Sequence, residues 1–152
     1  MRRWNGWGDD AVDYPAPANA VAFLSRLVGP GTPPHDAPLQ QVLAAVPPSR
    51  LPQHPLISAA PLERLQHARG QSLPDWIALR SGRLDAFPDG VAYPTCEDDV
   101  RELLRFAARV GARVIPYGGG TSVVGHINPL PGAEAVLTVD MGRLNRLRHC
   151  DT

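Results

Sequence analysis

The clearest amphipathic pattern in the chain lies between Thr95 and Gly111. The segment T-C-E-D opens it, with Thr95 as the capping residue and acidic residues in the first turn, where they suit the helix dipole. Apolar side chains then recur three and four residues apart, at Val100, Leu103, Leu104, Ala107, Ala108 and Val110. Gly111 suits the position that follows a helix. The pattern predicts one amphipathic helix that buries its apolar stripe.

Three short apolar runs around this helix are typical of strands. Val91-Ala92-Tyr93 ends at Pro94, residues 112–116 follow Gly111, and A-V-L-T-V-D-M occupies residues 135–141. A strand–helix–strand order predicts a parallel pair of strands with the helix on one face of the sheet.

The first 80 or so residues carry four short helical patterns separated by prolines. The predicted starts are Asn19 before residues 21–28, Asp36 before the stripe Leu39, Val42, Leu43 and Val46, Ser58 or Ala60 before Leu62 and Leu65, and Ser72-Leu73-Pro74 before D-W-I-A-L-R. None is long enough to be stable alone, so we expect them to pack on each other or on the C-terminal part. We therefore divide the chain into a helical, proline-rich segment (residues 1–83) and an α/β segment (residues 84–152).

Composition narrows the possible functions. The chain has 152 residues with a net charge of zero and no basic cluster with interleaved aromatics, which gives nucleic-acid binding no support. All fifteen cationic residues are arginines. The absence of lysine excludes a lysine nucleophile, a Schiff base and the lysine of a P-loop.

The location and redox setting are also read from the sequence. Cys96 and Cys150 match no metal or redox spacing, and no metal site is predicted. The N-terminal residues lack the apolar stretch of a signal peptide, and no run approaches the roughly 18 apolar residues of a transmembrane segment. The sequence favours a reduced, cytoplasmic setting; it leaves the oligomeric state open.

The segment R-V-I-P-Y-G-G-G-T-S-V-V-G, residues 113–125, poses the main functional question. Three glycines behind a strand either form a simple turn or let a ligand approach the backbone closely. A Rossmann motif is excluded because prolines prevent the following helix, and a P-loop is excluded because lysine is absent. Backbone amides, with the hydroxyls of Thr121 and Ser122, could form a neutral cradle for a buried diphosphate. A location at the carboxyl end of a strand favours the ligand over the turn.

Longer stretches of the chain resemble a known family. V-A-Y-P-T-C-E-D-D-V, P-Y-G-G-G-T-S-V-V-G and L-T-V-D-M-G-R-L-N-R-L are similar to the FAD domain of vanillyl-alcohol-oxidase-type flavoproteins, also called the p-cresol methylhydroxylase (PCMH) type. The opening W-N-G-W-G and the proline-rich helical segment resemble the alkyldihydroxyacetonephosphate synthase family. The resemblance implies an α+β fold, in which the helical segment precedes the first βαβ part of a PCMH-type FAD-binding domain.

The resemblance also implies a cofactor site. The residues that would wrap the FAD diphosphate are Pro116, Tyr117, Gly118, Gly119, Gly120, Thr121 and Ser122. Some relatives bind the flavin covalently through a histidine, and Thr121 occupies the matching position here. Since threonine cannot form that bond, non-covalent FAD is implied. His126 is interpreted as a polar loop residue near the cofactor, and Trp4 and Trp7 as side chains that hold the N-terminal arm on the body.

The implied function of the intact protein is an exchange of an acyl for an alkyl chain on a dihydroxyacetone phosphate ester, a step of ether-lipid synthesis without net redox change. Its partners would be FAD and a lipid-like or small-molecule substrate. An FAD-linked oxidase or dehydrogenase of 2-hydroxy acids or alcohols is the alternative within enzymes. In the family, the catalytic residues follow this region, so none is assigned. A catalytically inactive, truncated nucleotide-binding fragment, with its last strand left at an unpaired edge, is the third possibility.

Overall fold

The computed structural model describes residues 2–32, 35–147 and 149–150. That part of the chain contains four strands and five α-helices. The helices are α1 (Ala18–Val28), α2 (Leu39–Ala44), α3 (Pro61–Gln66), α4 (Leu73–Ser81) and α5 (Glu97–Val110). The strands are β1 (Ile57–Ser58), β2 (Gly90–Ala92), β3 (Arg113–Tyr117) and β4 (Val136–Asp140), and a 3₁₀ turn spans Met141–Arg143.

The four strands form one sheet in the order β1-β2-β4-β3. β2, β4 and β3 are parallel, and β1 is antiparallel to β2. The predicted direct pairing of β2 with β3 is wrong, because β4 lies between them. The expectation that the last strand forms an open edge is wrong for the same reason. β4 is the central strand, with Leu137 and Thr138 completely buried, while β3 borders the sheet within the described residues.

β1 was not predicted, and its length explains why. It contains only two residues, and the sequence around it is rich in proline, which usually disfavours strands. Ile57 pairs with Ala92 and Ser58 with Val91, so β1 forms only through contact with β2. Such a strand leaves no periodic signal in the sequence.

Helix α5 covers the sheet as predicted, but its buried face is narrower than the predicted stripe, since Leu104, Ala108 and Val110 are exposed. Leu103, Phe106 and Ala107 are buried in a core that includes Ala92, Leu137 and Val139. The helix ends at Gly111, whose φ of 66° is left-handed, as expected. Its start is one residue later than predicted, because Cys96 occupies the capping position.

The N-terminal turn of α5 is organised by Asp99. Its carboxylate accepts hydrogen bonds from the amide and hydroxyl of Thr95, at 2.7 and 2.8 Å. It also accepts one from the amide of Cys96, at 3.3 Å. The capping box therefore uses Asp99 where the sequence pattern had suggested the residue before it.

The helical segment contributes most of a second core, to which Phe87 of the α/β segment also belongs. Its buried members are Val42, Leu65, Ala68, Leu79 and Phe87, with Trp4 packed at the side. Helix α3 starts after Ala60 and α4 after Ser72, which accepts a hydrogen bond from the amide of Asp75, as predicted.

Two predicted helix caps in this segment are wrong. Asn19 lies inside α1, which starts at Ala18. Asp36 caps nothing: α2 starts after Pro38, and the Asp36 carboxylate instead binds the guanidinium of Arg80, with the Nε donor at 2.6 Å. In both places a proline precedes the first helical residue and its fixed φ sets the entry of the chain.

The helical segment is joined to the amino end of the sheet by two arginines, the exposed Arg50 and the buried Arg64. Arg50 binds the carboxylate of Asp89 through Nε at 2.9 Å and Nη2 at 2.7 Å. Arg64 donates to the carbonyl oxygens of Pro88, at 2.6 Å, and Pro47, at 2.7 Å. The division of the chain at residue 83 stays a prediction, since hydrogen bonds from both arginines connect the two segments.

Candidate functional site

The carboxyl ends of the three parallel strands meet at one edge of the sheet. β2 ends at Ala92, β3 at Tyr117 and β4 at Asp140, and Tyr117 and Asp140 are register partners. Ligands of open parallel sheets usually bind at this edge. The predicted site residues, Pro116–Ser122, leave the sheet here, and we call them the glycine loop.

Gly120 is required by the fold of the loop itself. Its φ is +70°, and a Cβ at this position would overlap the hydroxyl of Tyr117 and lie 2.8 Å from Nη2 of Arg2. Any larger residue would strain the backbone and displace two side chains. The third glycine is therefore explained by packing alone.

Gly118 and Gly119 are not required by packing. A Cβ at Gly118 would meet no atom within 4 Å, and one at Gly119 would meet only Cγ2 of Thr121, at 3.4 Å. Neither glycine has a positive φ. Their missing side chains leave open space in front of the loop, which is what a closely approaching ligand needs.

The loop also has unused hydrogen-bond donors. Within the described residues, the amides of Gly119, Gly120, Thr121 and Ser122 donate no hydrogen bond to another protein group. The Thr121 side chain is exposed, and Ser122 Oγ lies 3.3 Å from Nδ1 of the exposed His126. Consecutive free amides beside two hydroxyls can bind an anion. This geometry fits the neutral diphosphate cradle that the sequence predicts.

Tyr117 is buried beneath the glycine loop and supports it. Its side chain is 1% exposed, and its hydroxyl accepts a hydrogen bond from Arg2. Burial raises the pKa of the phenol, although the Arg2 guanidinium opposes that shift. Only the backbone of this predicted site residue is left to contact a ligand.

His67 is a buried residue of the site that the sequence did not reveal. Its Nε2 lies 3.0 Å from Oδ2 of Asp140, and its Nδ1 lies 2.7 Å from the carbonyl oxygen of Glu63. The His67 ring contacts that of Tyr117 at a tilt of 54°, with 4.4 Å between the ring centres. Both ring nitrogens thus face oxygen acceptors. His67 and Asp140 are 73 positions apart, and such a separation leaves no spacing signal that could have paired them.

Asp140 was interpreted as a turn acceptor, and it accepts from the amide of Gly142 at 2.8 Å. Burial raises the pKa of this carboxyl, but the hydrogen bonds from His67 and the Gly142 amide outweigh it, and the pKa lies below its usual value. Nearby, burial together with the charges of Glu63 and Asp140 raises the pKa of Tyr93 to about 12.

The far end of the loop is held by the helical segment. The carbonyl oxygen of Ser122 accepts from the Gln71 amide at 2.6 Å, and a Cβ at Gly70 would overlap that oxygen. Asn128 links the Gly70 amide, at 2.9 Å, to the carboxylate of Asp75, at 2.7 Å. The loop is therefore fixed at both ends, and its free amides are presented on a rigid support.

Two further properties bound the chemistry of the site. Among the described residues, no group of three His, Cys, Asp or Glu side chains is arranged to hold a metal ion. No helix in that part of the chain is long and apolar enough to cross a membrane.

Known proteins resemble the chain on this part of the fold. Residues 88–152 match the family described as FAD binding domain. Over 90 residues the chain is 36% identical to alkyldihydroxyacetonephosphate synthase of Trypanosoma brucei brucei, covering 58% of the chain and 15% of that relative. Over 53 residues, 34% of the chain, it is 42% identical to the mitochondrial D-lactate dehydrogenase [cytochrome] of Kluyveromyces lactis and covers 9% of it.

The fold itself matches a solved structure of alkyldihydroxyacetonephosphate synthase, with a TM-score of 0.72 and 23% sequence identity. The match covers 99% of the chain and 34% of that structure. The predicted α+β fold is confirmed. Residues 88–152 thus resemble an FAD-binding domain, and the chain as a whole resembles those synthases in fold. The chain spans about a seventh of the first relative's length.

Proposed function

We propose that the glycine loop binds the diphosphate of FAD through backbone amides, without a covalent bond to the flavin. The observation that carries the proposal is the open space at Gly118 and Gly119 beside amides that no protein group uses. Hydrogen bonds to a charged group contribute about 1.5–3 kcal/mol each, so three or four would account for a useful part of the binding energy of a dinucleotide.

The roles within the loop follow from its geometry. Gly118 and Gly119 allow the close approach, and the amides of residues 119–122 donate to the phosphate oxygens. Thr121 adds a hydroxyl donor in place of the histidine that forms the flavin bond in some relatives. When bound, FAD would supply the reactive ring, whereas these residues hold its diphosphate end.

For the whole protein, the activity that we propose is the alkyl-for-acyl exchange of an alkyldihydroxyacetonephosphate synthase, with a lipid-like phosphate ester as substrate. The similarity to the trypanosomal synthase and the W-N-G-W-G opening support it. The second candidate is an FAD-linked dehydrogenase of a 2-hydroxy acid, because 53 residues are 42% identical to a D-lactate dehydrogenase.

Gly119→Val tests the cofactor site directly. We expect the affinity for FAD to fall at least about a hundredfold, because the new side chain fills the space that the diphosphate needs. The affinity is measured by the quenching of flavin fluorescence. The matched control is Gly31→Val, at another open glycine without positive φ, which should leave FAD affinity unchanged. Both variants should keep the unfolding midpoint of the wild-type chain. Tight FAD binding by folded Gly119→Val would refute the role of the loop.

The two candidate activities differ in redox change. If the protein is a synthase, anaerobic mixing of its FAD-loaded form with D-lactate should leave the absorption of the oxidised flavin at about 450 nm intact. An acyl dihydroxyacetone phosphate with a long-chain alcohol should then release the fatty acid. Bleaching by the hydroxy acid, without fatty-acid release, would favour the dehydrogenase.

A further inference from the structure

The first residues of the chain form a small hairpin against the glycine loop. Arg2 and Asp9 make an antiparallel bridge, and the Arg3 amide donates to the carbonyl oxygen of Gly8 at 2.8 Å. The Arg3 guanidinium donates to the carbonyl oxygen of Val12 at 2.7 Å. The W-N-G-W-G motif is the turn of this hairpin, so its sequence has a defined structural role.

The hairpin is anchored on the body of the protein. The side chain of Gln66 donates to the carbonyl oxygen of Arg2 at 3.1 Å, and Trp4 packs against the second core. Trp7 differs from Trp4, since it is 59% exposed. The prediction that the tryptophans hold the arm on the body is thus supported by the packing of Trp4, whereas Trp7 remains available for another contact.

A cavity of about 240 Å³ separates the hairpin from the glycine loop. It is lined by Arg2, Gly6, Trp7, Gly8, Gln71 and Gly119. Whole small-molecule sites usually measure about 300–1,000 Å³, so this cavity has the size of a subsite for one part of a larger ligand. Gly119, the open glycine of the loop, borders it directly.

Arg2 brings to this cavity the charge that the loop lacks. Residues 116–122 contain no ionisable group other than the buried Tyr117. The Arg2 guanidinium lies over the ring of Tyr117, 5.5 Å from its centre, and donates to the Tyr117 hydroxyl and to the carbonyl oxygen of Gln66 at 3.4 Å. A guanidinium has five N–H donors, so these contacts leave donors for a ligand.

The carboxylate of Asp9, the bridge partner of Arg2, is itself hydrogen-bonded. Its Oδ1 accepts from the amide of Ala11 at 2.8 Å, and this hydrogen bond is the main cause that lowers its pKa. Arginine is well suited to phosphate oxygens because its planar fork can bind two of them at once.

We propose that the N-terminal hairpin is the second wall of the diphosphate site, with Arg2 as its cation and Trp7 as its cover. A phosphate bound to the amides beside Gly119 would be neutralised by Arg2 across the cavity, and the Trp7 ring would shield it from water. This inference rests on the proposed function, because it assigns new residues to the same site.

The test compares Arg2→Gln with Arg26→Gln, an arginine on the exposed helix α1, in FAD and riboflavin titrations of the 152-residue chain. We expect Arg2→Gln to weaken FAD binding about tenfold, the equivalent of one hydrogen bond to a charged group, and to leave riboflavin, which lacks phosphate, unaffected. The difference from wild type should shrink near 1 M salt, where the Debye length is about 3 Å. Arg26→Gln should match the wild type throughout.

Trp7→Ala keeps the proposal testable if Arg2→Gln fails to fold, because an exposed side chain contributes little to stability. We expect weaker FAD binding with an unchanged unfolding midpoint. If wild type binds FAD and both variants bind it equally well, the hairpin is not part of the site and the glycine loop alone remains supported. If wild type does not bind FAD, the proposed function fails, and this inference fails with it.

Discussion

Two carboxylates, the buried Asp89 and the partly buried Asp140, join the helical segment to opposite ends of the sheet, and they differ in what surrounds them. Asp89, at the amino end, accepts from the amide of Arg50 at 3.0 Å, from its guanidinium, and from the amide of Val136 at 2.8 Å. Asp140, at the carboxyl end, accepts from His67 and from the amide of Gly142. Both carboxyl pKa values are lowered, although burial alone would raise them.

The two ends of the sheet differ in how their hydrogen-bond donors are used. At the amino end, the amides of Arg50 and Val136 and the Arg50 guanidinium donate to the Asp89 carboxylate, and Arg50 Nη1 donates to the carbonyl oxygens of Gly132 and Ala133. At the carboxyl end, Asp140 and His67 support Tyr117, but the amides of the loop above them stay unpaired. A fold with this asymmetry is rigid at one end and presents free donors on a fixed base at the other, which is the arrangement of a preorganised binding site.

The largest effect on stability is expected at Asp89. In Asp89→Ala, the Val136 amide is left buried without its acceptor and Arg50 loses its partner, so we expect a loss of about 3 kcal/mol in the free energy of unfolding. Urea denaturation measures it, with Asp13→Ala, at an exposed aspartate, as the control. Equal stability of the two variants would show that the amino-end contacts are not structural.

Glycine substitutions sharpen the comparison within the loop. Gly120→Ala should cost about 2 kcal/mol, because φ is +70° and the new Cβ overlaps the Tyr117 hydroxyl. Gly118→Ala, in open space, should change the free energy of unfolding by less than about 0.5 kcal/mol. Thermal unfolding of both variants measures these changes in stability. The interpretation would be wrong if Gly118→Ala were the more destabilised.

The smallest effect is expected for Asp140→Asn, which keeps an oxygen acceptor for the Gly142 amide. The pKa of Asp140 is lowered in the folded protein, so its contribution to stability is complete above the ordinary value of 3.8 and is lost as the pH falls through the folded value. We expect Asp140→Asn to flatten the fall of the free energy of unfolding as the pH drops through the folded pKa of this carboxyl, because the variant has no carboxyl to protonate there. Urea denaturation at pH values from about 6 to about 2 tests this expectation. An unchanged slope of the free energy of unfolding against pH would contradict it.

Local signals predicted much of the fold. The existence of helix α5, its glycine stop and the Ser72 cap depend on neighbours within a few residues, and the structure confirms them. The glycine loop was located at the carboxyl end of β3 because a strand and three glycines are adjacent in sequence. The caps at Asn19 and Asp36 failed, because a preceding proline and an ion pair with Arg80 took precedence over the local preference.

The sequence by itself determined most of the helices and the three parallel strands, because these depend on side-chain periodicity, and its glycines predict where a ligand approaches the backbone. Only the tertiary structure decided that β4 enters between β2 and β3, that His67 meets Asp140, and that Arg2 reaches Tyr117 across 115 positions. Contacts between residues so far apart form only when the chain is folded, because burial and hydrogen bonding bring them together, and no local spacing records them.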